Sequence, residues 1–511
     1  MSSSSSSAQT VAALKVHQWL EQWNDIVYDG TQNQARPKPH FYMFSMPAVQ
    51  LRALSGIYRR DTDEGLPRRE DLRIQRKHDP ERSLEIRHYV KGGYPWSGLS
   101  AAKRADSEND RLKKPGWLPT AVVVNILEAG DERSGLTVDA QSAISVVDHE
   151  GGMATLHLPQ AGVTPDGIPP IEVIDGQHRL FAFDDPDADV EDYYLPVVAF
   201  HGLDISWQAY LFWTINIKPK KINPSLAFDL YPLLREQEWL NSGEVVQVYR
   251  ESRAQELTEM LWSTEQSPWY RRINMLGGTR AENGPVTQAA FIRSLIASMV
   301  KSWAPRNGVG GIFGGTPDSS GGLAWSRLQQ GAFLVTAWSL LAKAVNATED
   351  PWARSLREHE ATLDVPGEER KGAKDPAFGG TFSLLATDQG VRGFQSVVND
   401  LCYIRHKELD LAGWRDKSDF PEVTPEHLAI AADTLKDQPV HKFLEDLAQA
   451  LATFDWRSSG FPGLSPEERL KASALRGSSG YKEMRTRLVA HLRLAESDAV
   501  RTAAELASLA Q

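Results

Sequence analysis

The chain has 511 residues, 41% hydrophobic and 24% charged, a soluble globular balance on a length that exceeds one core of ~250–300 residues, so two domains are expected. A net charge of −11 argues against a protein that coats DNA non-specifically, because phosphate neutralisation dominates such binding, yet it leaves room for a local basic face. No stretch approaches the ~20 apolar residues of a membrane span, and the single cysteine, Cys402, excludes an internal disulfide and fits a reducing compartment, so the expectation is a cytoplasmic protein without a membrane partner.

In chain order, Met1 and its serine run read as a disordered leader. Val11, Leu14, Leu20, Trp23 and Ile26 then recur at helical spacing over residues 9–27, which predicts an amphipathic helix and closes a first segment at residue 37. Phe41 to Met46 has the length and composition of a strand, and Pro47 suits the first turn of a helix running through Leu54. Asp79-Pro80-Glu81 is a helix start, with a capping carboxylate and proline at the first helical position, and Gly92-Gly93 is its stop. Ala121 to Leu127 reads as a buried strand, Ala143 to Val147 and Met153 to Leu158 as a hairpin, and Ile171 to Ile174 as a short strand that runs into Asp175. Leu195 to Phe200 is another strand, Asp204 can cap a helix through Ile215, and Asn223-Pro224 can open one through Leu240. This alternation predicts an α/β or α+β domain over residues 38–240. From 241 to 511 the strand signal fades and the chain reads as mainly α-helical, interrupted by a flexible glycine-rich loop at 308–322 that lacks the lysine-serine or lysine-threonine ending of a P-loop.

The sharpest local signal is Val173-Ile174-Asp175-Gly176-Gln177-His178-Arg179, an apolar strand ending in four polar groups around a glycine. Glycine permits a tight turn and close backbone approach. If a helix starts there, its free N–H groups make an anion site to which Arg179 adds a phosphate contact. Asp175 can hold a metal ion or orient water, and the ordinary pKa of histidine suits His178 to proton transfer. A purely structural polar turn is the competing reading. Asp184, Asp185, Asp187, Asp189, Glu191 and Asp192 form an acid run that can bind Mg²⁺ or simply be solvated. Tryptophans such as Trp213, Trp303 and Trp325 read as core, and His359 as surface.

The pentapeptide Asp175 to Arg179 resembles the name-giving motif of the DGQHR-domain proteins, related to DndB and DpdB of bacterial DNA-modification clusters. Ile74-Gln75-Arg76, Asp79 to Arg82, Glu85-Ile86 and Tyr89 resemble the family's upstream segment. Leu195 to Val198, Thr214-Ile215-Asn216, Lys220-Lys221-Ile222 and Leu226 resemble its downstream one. The resemblance spans roughly residues 38–240 and implies a fold similar to the ParB and sulfiredoxin superfamily, whose members bind or hydrolyse nucleotides. It implies a nucleotide-binding, ATP-hydrolysing component of a phosphorothioate or 7-deazaguanine DNA-modification system, working with a modification enzyme encoded nearby. The alternative it leaves open is a non-catalytic DNA-binding repressor whose pocket only senses a ligand. It assigns catalytic roles to Asp175 and His178, nucleotide binding to Gly176, Gln177, Arg179, Gln75, Arg76 and Asn216, and ATP with Mg²⁺ on Asp175 as cofactors. Arg68, Arg69 and Arg73, in a basic stretch from Arg59 to Lys114, are the candidate DNA contacts, and a shorter stretch holding Lys471, Arg476, Lys482, Arg485 and Arg487 is a second candidate.

Overall fold

A computed structural model describes residues 9–32, 34–56, 79–133, 136–159, 167–184, 192–217, 223–231, 247–277, 284–305, 308–315, 322–361, 375–415 and 423–510. The chain divides into two compact units, Met1–Lys220 and Lys221–Gln511.

The first unit is mixed α/β and is built on strands β1 (Thr10–His17), β2 (His40–Pro47), β3 (Ser55–Gly56), β4 (Val122–Ile126), β7 (Ser145–Asp148), β8 (Met153–His157), β9 (Ile171–Asp175) and β10 (Tyr194–His201). A two-residue ladder, β5 (Glu132–Arg133) with β6 (Leu136–Thr137), stands apart from them. The sheet order is β3-β9-β4-β10-β2-β1-β8-β7. In β2, Tyr42, Phe44 and Met46 are buried while Met43 and Ser45 face outward, the period-two pattern of a sheet with one covered face. Ile171, Glu172, Val173 and Ile174 of β9 are all buried, so this strand is covered on both faces.

The expected helix over 9–27 is instead β1 followed by a short 3₁₀ turn, Glu21–Asp25. Leu14, counted toward an apolar face, is 54% exposed. Two flanking strands decide the matter: β1 pairs antiparallel with β2 on one side and β8 on the other, and those distant hydrogen bonds outweigh a local period that fits a helix only loosely.

Helix α1 (Ala48–Leu54) starts just past Pro47. In α2 (Pro80–Gly92), the Asp79 carboxylate accepts the Glu81 and Arg82 N–H groups, and Gly93 at φ 59° ends the helix as glycine does where a side chain would strain. After α3 (Ala101–Arg104) and α4 (Gln177–Phe181) comes α5 (Ile205–Ile217). Asp204 precedes α5, but its carboxylate accepts the Ala35 N–H at 2.7 Å, tying the N-terminal segment to the helix start. Asn223 caps the next helix, Pro224–Asp229, by accepting the Ser225 N–H; residues 232–240 of the expected continuation lie outside the described residues.

The second unit is helical, as its periodicity predicts. The segment 425–454 breaks at Gln438-Pro439 into Pro425–Lys436 and Pro439–Ala452, because proline cannot donate to the preceding turn. The first part of the glycine-rich stretch is packed rather than loose: Ile312 and Phe313 are buried, and Asn399 accepts the Ile312 N–H while donating to the Gly310 carbonyl. A Cβ on Gly310 would lie 1.9 Å from the Trp303 carbonyl oxygen, so close approach explains that glycine. Residues 316–321 lie outside the described residues. Trp325 is core, Trp303 packs against Tyr403 at the core margin, and Trp213 is 43% exposed, contrary to expectation. His359 stacks on Phe382 and Phe461.

The helix Pro466–Ser473 opens with a capping box in which Ser465 and Glu468 exchange hydrogen bonds. Those bonds, with Arg457 beyond them, pull the Glu468 carboxyl from 4.5 down to about 2. A depressed acid contributes stability above its ordinary pKa and loses it as pH falls toward the folded value. Glu468→Gln is therefore expected to melt below the parent at neutral pH, with the gap in melting temperature closing between pH 4.5 and about 2. Parallel melting curves at every pH would contradict this.

Candidate functional site

Strand β9 delivers Asp175 to its carboxyl end beside an irregularity in the sheet. Against β4, Val124 pairs with Val173 and Val123 with Asp175, so Ile174 is the extra residue of a bulge. A bulge re-aims the side chain that follows it. Gly176 then adopts φ 93° and ψ 15°, the left-handed region, and α4 begins at Gln177.

The turn folds the Arg179 guanidinium back over Gly176. Arg179 Nη2 donates to Asp175 Oδ2 at 2.9 Å, and Nη1 donates to the Thr120 carbonyl at 3.0 Å. A Cβ on Gly176 would stand 2.8 Å from that Nη2, so only glycine leaves the guanidinium its seat. The other Asp175 oxygen, Oδ1, accepts Asn216 Nδ2 at 3.2 Å, and the same amide also donates to the Phe212 carbonyl at 2.9 Å. Three of the expected site residues, Asp175, Arg179 and Asn216, thus meet. Asn216 comes from 41 positions further along the chain.

Helix α5 is fixed along β9 at two points. Gln208 Nε2 donates to Glu172 Oε2 at 2.8 Å, eight residues before the Asn216 contact. Eight residues of helix span ~12 Å and three of strand ~10 Å, so the two contacts hold helix and strand side by side in register. Glu172, 3% exposed, also takes two donors from Arg133, at 2.6 and 2.9 Å, and one from Asn125 at 3.2 Å. Nothing in the motif announces this support. A glutamate inside an otherwise apolar strand was its one sequence signal.

Burial lowers the pKa of Arg179; Asp175 opposes that shift and the charge of Arg82 adds to it. Arg82, on the exposed face of α2, has no ion-pair partner among the described residues. The charge of Arg82 is thus near enough to act on Arg179. Gln177 is buried, and its Oε1 has no hydrogen-bond partner among the described residues. His178 sits half-buried on the first turn of α4. Comparison with protein-family models, curated proteins and solved structures finds no match.

Gln75 and Arg76, expected beside the nucleotide, and Arg68, Arg69 and Arg73, expected on DNA, lie outside the described residues. From the acid run, Asp184 is engaged by Arg52 at 2.5 Å, and the Arg52 guanidinium also rests 4.5 Å from the Phe181 ring centre, bracing α4. Residues 185–191 of that run lie outside the described residues. No group of three His, Cys, Asp or Glu side chains among the described residues suits a metal ion. In the second unit, Arg485 is held by the buried Asp400 at 2.6 Å, and Arg487 by Glu483 at 2.6 Å while donating to the Lys471 carbonyl. Those two arginines are engaged within the fold, which weakens the second basic stretch as a DNA contact.

Proposed function

We propose that the Asp175–Arg179 turn binds a nucleoside triphosphate with Mg²⁺ and hydrolyses it, and that the chain serves a bacterial DNA-modification system, acting with or regulating a partner modification enzyme. The observation that carries the phosphate part is the meeting of the Arg179 guanidinium and the Asn216 amide at Asp175, with the charge of Arg82 near enough to act on Arg179. Mg²⁺ needs few protein ligands when phosphates supply the rest, so Asp175 alone can serve. Asp175 and His178 are the groups proposed to orient water and carry the proton. The ParB-like fold, the link to DNA modification and the choice of ATP rest on the sequence resemblance.

A second reading, a DNA-binding repressor whose pocket only senses its ligand, is favoured by one feature. Both Asp175 oxygens and two Arg179 nitrogens are already satisfied within the chain, so a ligand would have to exchange those contacts for its own. Phosphate release separates the two readings. ATP binding with turnover supports hydrolysis; ATP binding without turnover supports the sensor; no heat on titration of any common nucleotide removes the nucleotide reading and favours the regulator.

Arg179→Ala is expected to weaken ATP binding more than Gln177→Ala, since a charge-assisted contact contributes about 1.5–3 kcal/mol against roughly 0.5–1.5 for a neutral one. Equal losses on calorimetry would make the arginine structural. For DNA, exchanging Arg68, Arg69 and Arg73 together for glutamate is expected to abolish a gel shift at low salt while leaving ATP binding nearly intact, because phosphate contacts dominate non-specific affinity. An unchanged shift would exclude that stretch.

A further inference from the structure

A cleft of about 660 Å³ opens in the second unit, and no residue of the Asp175 turn lines it. One wall is a single stripe of the helix Gln247–Ser263, on which Gln255, Glu259 and Trp262 follow at helical spacing. Tyr270, Arg271 and Asp229 also line it.

The polar groups of this cleft are poorly satisfied by the protein itself. Glu259 Oε2 accepts from Gln255 at 3.2 Å and Asp229 Oδ1 from Gln288 at 3.4 Å, and the second oxygen of each carboxylate receives no donor from the described residues. Gln288 is fully buried and donates to Asp229 and Met275, both of which line the cleft, and its Oε1 has no hydrogen-bond partner among the described residues. Carboxylate oxygens that line a cleft without donors favour a ligand that brings N–H groups to them. Arg271 supplies the opposite chemistry. Its backbone is held at φ 52°, an uncommon conformation for a residue with a side chain, by donating its N–H to the Trp262 carbonyl at 2.9 Å. Its guanidinium stands 5.2 Å from the Tyr270 ring centre, exposed and with no ion pair among the described residues.

Acceptor-only carboxylates, two aromatic faces and an unneutralised arginine define a complementary shape. We propose that this cleft binds a guanidine-type ligand: a planar N–C–N unit whose paired N–H donors meet Glu259 and Asp229, lying against Trp262 and Tyr270, with an anionic group reaching Arg271. Carboxylates recognise such paired donors in two-point fashion, and flat aromatic faces favour flat, donor-rich partners. Two sources share this chemistry. A guanine nucleotide offers ring N–H and amino donors with a phosphate, and free arginine offers its guanidinium with a carboxylate.

The test is calorimetric titration of the full chain with guanosine monophosphate, adenosine monophosphate and arginine, in EDTA so that Mg²⁺-dependent binding elsewhere does not contribute. Saturable binding of guanosine monophosphate or of arginine is expected, with the tighter of the two naming the source. Adenosine monophosphate, which lacks the paired donors, is expected to bind at least about tenfold more weakly, as when a hydrogen-bonding site meets an analogue without the matching groups. Glu259→Gln, which keeps the shape and removes the charge, is expected to reduce the affinity at least about tenfold. Asp229→Asn provides an independent second variant, and circular dichroism shows that each remains folded. Absence of binding by both donor ligands overturns the proposal, as does affinity that both variants leave unchanged.

Discussion

Replacing Glu172 with alanine is expected to destabilise the protein by about 3–5 kcal/mol, the usual cost of breaking a buried ion pair by removing one partner. The carboxylate, with a side chain 4% exposed, gathers four donor contacts from Arg133, Asn125 and Gln208. Its loss leaves a largely buried guanidinium without its counter-charge and strips one acceptor from each of two buried amides. Urea denaturation measures the effect; a loss below about 1 kcal/mol would place it among exposed pairs. The variant should also weaken ligand binding at the turn, because Gln208 and Asn216 hold the same helix to the same strand. Glu172→Gln keeps an acceptor and removes the charge, so an intermediate loss is expected there.

Gly176→Ala is expected to act mainly on binding. A left-handed backbone costs an ordinary residue about 1–2 kcal/mol, which sets the stability loss. The new Cβ would meet the far end of the Arg179 side chain at 2.8 Å, and a flexible side chain swings away more cheaply than backbone yields. The guanidinium would then leave Asp175 and the Thr120 carbonyl. A fall in nucleotide affinity of about tenfold or more follows, equivalent to about 1.4 kcal/mol. Gly176→Asn separates the two effects, since asparagine tolerates the left-handed region but also carries a Cβ. It should recover stability without recovering affinity. Affinity equal to the parent in both variants would show that the seat of the guanidinium does not matter to the ligand.

The sequence was most legible where structure is decided locally. Asp79 and Asn223 cap the helices they were expected to cap, Pro47 lies at the β-to-α step, and the hairpin around Asp148 to Gly152 forms, because each depends on a few neighbouring residues. The α/β character of the first unit and the helical second unit followed from hydrophobic period. Non-local pairing was not readable. The strand Thr10–His17 exists because two partners flank it, and Gly310 is explained only by a carbonyl and a ring that the chain later brings beside it. At the turn, the motif named Asp175 and Arg179, and the resemblance added Asn216, while Glu172, Gln208 and Arg133 went unread because their meeting depends on how α5 lies on β9. Arg82 was counted only as one charge in a basic stretch, since its nearness to Arg179 comes from the packing of α2 against the turn.

The place of β1 in the sheet bears on how the chain is assembled during translation. Among the described residues the β7–β8 hairpin joins the other strands only through β1, whose Thr10 pairs with His157. The ribosome releases β1 and β2 well before β8. Until His157 has emerged, one edge of β1 stays open as a template for any other extended chain. β1 is thus held on one side by β2, its near neighbour in sequence, long before β8 covers the other, and crowding of nascent chains is the condition under which that open edge is most exposed to mispairing.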